Sequence, residues 1–302
     1  MTPRLALILV AISIVAGSIF ALRADLLRST PKMVADERPV VKIKARVLDS
    51  MHRYIHENKL FDRTEITLLN RKRRLSLADH DDDAVDYLTA RASDRFMEDP
   101  GGIVLEYDHL SCPITLPAGR QFKFSHVGGF IDDIEAIFPL EPMLWDEMQI
   151  ELKKLIALFD NAGWVRSAGK FTPRQPVKDT IVFEDFLLAT GPKWTSVGFW
   201  EQCDNPAIKA GVEIRHYNSS SPGSFMPPAA LSAPLDPTAE DTFLFLVAIK
   251  AEFESPVAQE LNRLRDARRV EETGRPDQAI PLSIWLDDPD WRPEDWDGEF
   301  IE

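Results

Sequence analysis

Cys112 and Cys203 are the only thiols among 302 residues, and an even count permits one disulfide. Such a bond would close about ninety residues and stabilise the fold by roughly 4–5 kcal/mol on the loop-entropy account. Two unrelated buried thiols are the alternative. We expect the bridge, because the segment that opens the chain suits export to an oxidising compartment.

A second set of chemical groups is acidic. Asp132, Asp133 and Glu135 stand close in sequence to His126, the residue types an acid–base hydrolase would use if they converge in the fold. His52 and His56 are spaced i, i+4 and would share one helix face, but no convincing third zinc ligand accompanies them, and no metal or other cofactor is expected. The run Asp79–Asp83 (DHDDD) lacks the spacing, glycine and distal glutamate of a calcium loop and reads as a helix start. The stretch from Gly163 to Lys170 is one residue too long for a phosphate loop, with Phe171 where a hydroxyl is required. No nucleophile elbow, metalloprotease helix, dinucleotide loop or C-x-x-C pair occurs. The catalytic residues of an enzyme are therefore not identifiable from the sequence.

Binding chemistry is more legible. The last seventeen residues carry eight acids and one base, and they include Asp287, Asp288, Trp291 and Trp296. Tryptophan is a frequent interface anchor, so these four are the expected partner-binding residues. The formal charge of −14 and pI near 5.0 disfavour nucleic acid, whose phosphates would be repelled. They suit a protein partner with a basic surface.

Leu5–Leu22 contains no charge, and as a helix it would span about 27 Å, close to a bilayer core. Arg4 before it and Ala16-Gly17-Ser18 within it follow secretory-signal grammar, yet the apolar run continues to Leu22, which favours a retained anchor. Arg23, Arg28, Lys32 and Arg38 after the run would hold the body in the cytoplasm on a positive-inside count. The signal-like order argues for translocation, and we weight that more.

The expected organisation is a tail 1–4, a transmembrane anchor 5–22, a tether 23–40, a soluble domain 41–286 and an acidic tail 287–302. The domain could divide into subdomains of about 41–138 and 139–286. The expected fold class is α+β: a single N-terminal transmembrane helix, then a mostly antiparallel sheet packed with a few helices. Helices are expected over Val41–Leu60, Ala84–Met97, from Pro142 to Gly163 and from Ser255-Pro256 to Gly274. Strands are expected over Glu65–Leu69 and Leu75–Leu77 about a basic turn Arg71–Arg74, and over 103–107, 121–125, 164–166, 180–188, 196–201, 212–217, 242–251 and 280–286. The proline-dense segment Ser219–Pro237 reads as a long exposed loop and a second candidate contact.

These features together predict a membrane-anchored, non-enzymatic protein-binding module of the cell envelope, one concrete form being an immunity-type inhibitor of a toxic effector. An envelope hydrolase with dispersed catalytic groups is the alternative.

Overall fold

The computed structural model describes residues 40–62, 66–70, 73–74, 87–92, 102–167, 177–182, 194–218 and 241–296. The chain divides into two units, Met1–Arg38 and Pro39–Glu302, and the expected anchor and all but the last residue of the tether lie outside the described residues. Among the described residues no helix is long and apolar enough to cross a membrane.

The class is α+β, dominated by antiparallel sheet. Strands β1 (Val41–Ala45), β5 (Ile103–Tyr107) and β6 (Ile114–Thr115) form a small sheet, with β1 parallel to β5. Asn58 offers its side-chain amide to both Lys44 N–H and Lys44 C=O, at 2.8 and 2.6 Å, and so satisfies part of the β1 edge. The large sheet runs β3-β2-β4-β7-β8-β12-β11-β10-β9, antiparallel throughout. Its strands are β2 (Ile66–Asn70), β3 (Arg73–Arg74), β4 (Tyr87–Ala92), β7 (Gln121–Val127), β8 (Phe130–Met143), β9 (Val165–Ser167), β10 (Trp194–Glu201), β11 (Ile208–Asn218) and β12 (Asp241–Ala251). Strands from both halves of the sequence share this sheet.

The long central strands follow from alternation. On β8, Ile134, Ala136 and Phe138 enter the main core, while Asp133, Glu135 and Ile137 take the opposite face. Gly128 and Gly129, with φ of 62° and 81°, make the two-residue turn between β7 and β8 that the twist of a hairpin favours.

The helices are α1 (Met51–Glu57), α2 (Trp145–Asn161), α3 (Pro256–Thr273) and α4 (Leu282–Asp287). In α2, Met148, Leu152, Leu155 and Phe159 are buried at steps of three and four. Ser255 caps α3 by accepting from Ala258 N–H at 3.1 Å, Pro256 opens it, and Gly274 closes it in the left-handed region.

Several expectations are corrected. Val41–Leu60 is not one helix: β1 comes first, its burial alternating strictly, and α1 starts only after the Ser50 cap. The helix expected over Ala84–Met97 gives way over Tyr87–Ala92 to a strand, because β2 and β7 flank that segment and satisfy its backbone on both sides. Pro142 belongs to β8, and α2 begins at Trp145, where Leu144 N–H donates to Glu147 Oε2 at 3.1 Å. The segment 280–286 forms α4 and not a strand, with Leu282, Trp285 and Leu286 buried at helical steps. Arg73 and Arg74, expected in a turn, pair with β2 as a short strand. Residues 180–182 have no regular structure. DHDDD, Leu75–Leu77, 183–188 and Ser219–Pro237 lie outside the described residues.

Candidate functional site

Among the described residues, the densest meeting of reactive side chains lies where two turns approach each other. After β5, residues 108–113 turn back toward β6, and His109 N–H is held by Tyr107 C=O at 3.0 Å. After β10, residues 202–207 turn into β11. Asn205 organises that turn, accepting from Ala207 N–H on its side chain at 3.1 Å and from Ile208 N–H on its carbonyl at 3.0 Å. Cys112 and Cys203 join the two turns by a disulfide across 91 positions, with Cα atoms 6.2 Å apart.

A stack of aromatic side chains supports this junction from below. Trp164 donates its indole N–H to Cys112 C=O at 3.0 Å and meets Tyr107 and Phe159 edge-on at 5.6 and 5.5 Å. Phe159 in turn stacks on Trp200 at 5.0 Å, and Trp200 Nε1 donates to Asp160.

Above the stack runs a polar chain with a fixed sense. Val47 N–H donates to the Tyr107 hydroxyl, which donates to Gln202 Oε1 at 2.7 Å. The Gln202 amide nitrogen then faces Asp204 Oδ1 at 3.1 Å. Burial holds the Tyr107 phenol well above its ordinary pKa, so it stays a donor. The Asp204 carboxyl lies below its usual value: partial burial pulls it up, but Gln202, the nearby His109 ring and the Ser111 hydroxyl outweigh that pull.

His109 sits between this chain and the disulfide. Its Nδ1 faces the backbone N–H groups of Ser111 and Cys112, at 3.3 and 3.4 Å, and Cys112 Sγ at 3.4 Å. Two backbone N–H groups thus face Nδ1, and the Gln202 amide nitrogen faces Nε2 at 3.1 Å, so donors meet both ring nitrogens. Nε2 lies 3.5 Å from Asp204 Oδ1. Cys112 is fully buried, Cys203 is partly exposed and Asp204 is exposed. Among the described residues, His109, Cys112, Cys203 and Asp204 form the one group whose ligand atoms could gather on a metal ion.

The dispersed acids fall elsewhere. Asp133 and Glu135 share one face of β8, opposite Ser125 and Lys123 of β7, and Lys123 Nζ bonds Glu135 at 3.2 Å. Asp132 and His126 lie at the bulge that follows Ser125. Burial, then the charges of Glu135 and Asp132, push the Asp133 carboxyl up to about 7. Burial also raises Asp132. The Oδ1 atoms of both aspartates are buried without a hydrogen-bond partner among the described residues. The rings of His52 and His56 lie 4.3 Å apart, tilted at 44°, on α1.

The described part of the acidic tail, residues 287–296, folds back on its own chain. Trp291 and Trp296 pack beside Phe130, Val257, Leu261 and Leu264. Trp291 Nε1 donates to Glu271 at 2.8 Å, and Arg263 stands over Trp296 and pairs with Asp295 at 3.1 Å. Both tryptophans therefore have an intramolecular role, while Asp287 and Asp288 stay exposed. Sequence reading missed His109 and Gln202, which have no motif around them, and it missed the exposure of Leu110 and Phe253. Leu110 is 95% exposed and Phe253 82%. The loops that carry them are bonded to the same turn, residues 202–207: that of Leu110 by the Cys112–Cys203 disulfide, that of Phe253 by Glu252 N–H, which donates to Ala207 C=O at 2.8 Å.

No family model, curated protein or solved structure matches this chain.

Proposed function

We propose that the chain is a membrane-tethered, non-enzymatic protein-binding module whose folded body lies on the extracytoplasmic side. The observation that carries this reading is the exposure of Leu110 and Phe253 on two loops that are each bonded to residues 203–207. Large apolar side chains held out at one end of a sheet are usual features of contact surfaces. The disulfide and the backbone bond to Ala207 restrain both loops, so little ordering entropy is lost when a partner seats on them. Exposed Asp108, Asp204 and Glu254 rim the surface and favour a partner with a basic border. The Cys112–Cys203 bond suits an oxidising compartment, in keeping with Leu5–Leu22 as a signal-anchor. An immunity-type inhibitor of a basic effector is one concrete form of this reading.

The test compares full-length protein in detergent with L110D/F253D and with V165D, a substitution at an exposed valine on the β9 edge. Envelope extracts are passed over each, and the stoichiometry of bound protein is measured. The proposal expects one partner held by the wild type and V165D and lost by the double variant. Equal retention by all three removes this surface from the function.

Asp133 favours a second reading, because a carboxyl near 7 beside two other acids is poised for proton transfer. Turnover of a small substrate abolished by D133N would replace the binding module with a hydrolase.

A further inference from the structure

We propose that Cys112, Cys203 and His109 form a zinc site when the disulfide is open, with Asp204 as the carboxylate behind the histidine. The argument begins with what the bond holds together. Two sulfurs and one imidazole nitrogen are the ligand types zinc prefers, and here they converge from two turns braced by the β5 and β10 strands. His109 Nδ1 already lies 3.4 Å from Cys112 Sγ. That separation is close to the roughly 3.5 Å between a nitrogen and a sulfur bound to one tetrahedral zinc, given Zn–N and Zn–S lengths of about 2.0 and 2.3 Å. Once the sulfurs are no longer bonded, they need part by only a side-chain rotation to admit the ion.

Three further features suit such a site. Of the two ring nitrogens Nδ1 lies on the sulfur side, where the metal would displace only the long contacts from Ser111 and Cys112 N–H at 3.3 and 3.4 Å, and Nε2 is the second nitrogen. Asp204 Oδ1 is 3.5 Å from that second nitrogen, the carboxylate–histidine arrangement that orients a ligating imidazole. Asp204 is itself held by Gln202, and Gln202 by buried Tyr107, so the orienting group is fixed from the core. Finally, Cys203 N–H points at Cys112 Sγ at 3.4 Å, a donor that would favour the thiolate. Three protein ligands leave the fourth position to solvent. Asp204 is exposed, so the ion can enter from that side.

The chemistry balances as two steps. A dithiol or phosphine reductant gives two electrons and the S–S bond breaks, leaving two thiols and the oxidised reductant. Zinc then replaces one proton on each sulfur, and two protons are released. The disulfide and the zinc form are mutually exclusive, so the site reports on the redox state around it.

Full-length protein in detergent provides the test, with zinc and cobalt ions as probes. The oxidised chain should take up neither. After phosphine reduction it should bind one zinc per chain, with two protons released, and cobalt should give a sulfur-to-metal charge-transfer band and tetrahedral visible bands. H109A keeps the disulfide, so it can be folded oxidised and then reduced; it should lose the tetrahedral cobalt spectrum. D204N should keep the stoichiometry and bind about 10- to 100-fold more weakly. C112S/C203S controls for adventitious uptake through His52 and His56. Failure of the reduced chain to bind, or equal binding by the double cysteine variant, overturns the proposal. So would D204N affinity equal to wild type, for the positioning role of Asp204. None of these outcomes depends on whether Leu110 and Phe253 seat a partner.

Discussion

Arg268 of α3 lies over the ring of Trp291, 4.7 Å from its centroid, and joins an eighteen-residue helix to the acidic end of the chain. The same guanidinium reaches Glu272 at 3.0 Å and Asp288 at 4.0 Å, so it is a buried cation shared between its own helix and the tail. A tail dense in carboxylates is held here by the arginines of α3. Its tryptophans pack where a solvated tail would leave them free.

This relationship predicts a stability effect. W291A should destabilise the folded body by roughly 1–3 kcal/mol, because packing beside Leu261 and Leu264 and the cation–π contact are lost together. Denaturant unfolding of the full chain checks it, and no change in midpoint would return the tail to the role of a free contact segment.

The disulfide predicts a second effect. Reduction without metal should lower stability by about 4–5 kcal/mol, since a loop of 91 positions is released. Zinc added to the reduced chain should restore part of that loss, while zinc added to the oxidised chain should not move the unfolding midpoint.

Asp133 sets a pH dependence whose sign follows from burial. Its carboxyl is raised from 3.8 to about 7, so between those values the folded chain keeps a proton that the unfolded chain has lost. That contribution is complete below pH 3.8 and disappears as pH rises through about 7. Asp132, Asp49 and Glu213 are displaced in the same direction by burial. Stability should therefore fall from pH 5 to pH 8, and D133N should flatten the slope by on the order of 2–4 kcal/mol. A wild-type curve that rises over this range would contradict it. Asp160 and Asp204, whose carboxyls are lowered, act only below the ordinary carboxylate range.

Gly129 tests the hairpin between β7 and β8. Its φ is 81°, and an added Cβ would stand 2.9 Å from Trp285 Cε3. Its carbonyl also accepts from Met51 N–H at 2.8 Å, so the turn cannot shift without loosening α1. G129A should cost roughly 2–4 kcal/mol, from left-handed strain and overpacking against the indole. Thermal unfolding measures it.

Association with a basic partner should slow as ionic strength rises, because the rim acids Asp108, Asp204 and Glu254 would be screened. Stopped-flow binding across salt checks this. D108N/E254Q should reduce the salt dependence while leaving the dissociation rate nearly unchanged, and an unchanged slope would remove the rim from the encounter.

Local pattern carried much of the fold. The stripe Met148, Leu152, Leu155 and Phe159 and the Ser255-Pro256 start with Gly274 stop are helix signals complete within one segment. Ile103–Tyr107 likewise announces β5 by alternation and β-branched content. Where the pattern was ambiguous, partners decided. Tyr87–Ala92 could be read as helix until β2 and β7 claimed its backbone from both sides. Leu282–Asp287 is six residues long, too short for strand and helix periods to separate before its neighbours bury Leu282 and Trp285.

By itself the sequence determined the α+β class, the acidic charge and the availability of one cysteine pair, because composition and local periodicity are properties of the chain alone. Only the tertiary structure set the turn of His109 and Cys112 against the turn of Cys203 and Asp204, and bonded the loops of Leu110 and Phe253 to one turn. Those residues lie roughly a hundred positions or more apart and carry no motif. Their proximity is created by β-register and turn packing, which long-range pairing sets and local sequence does not encode.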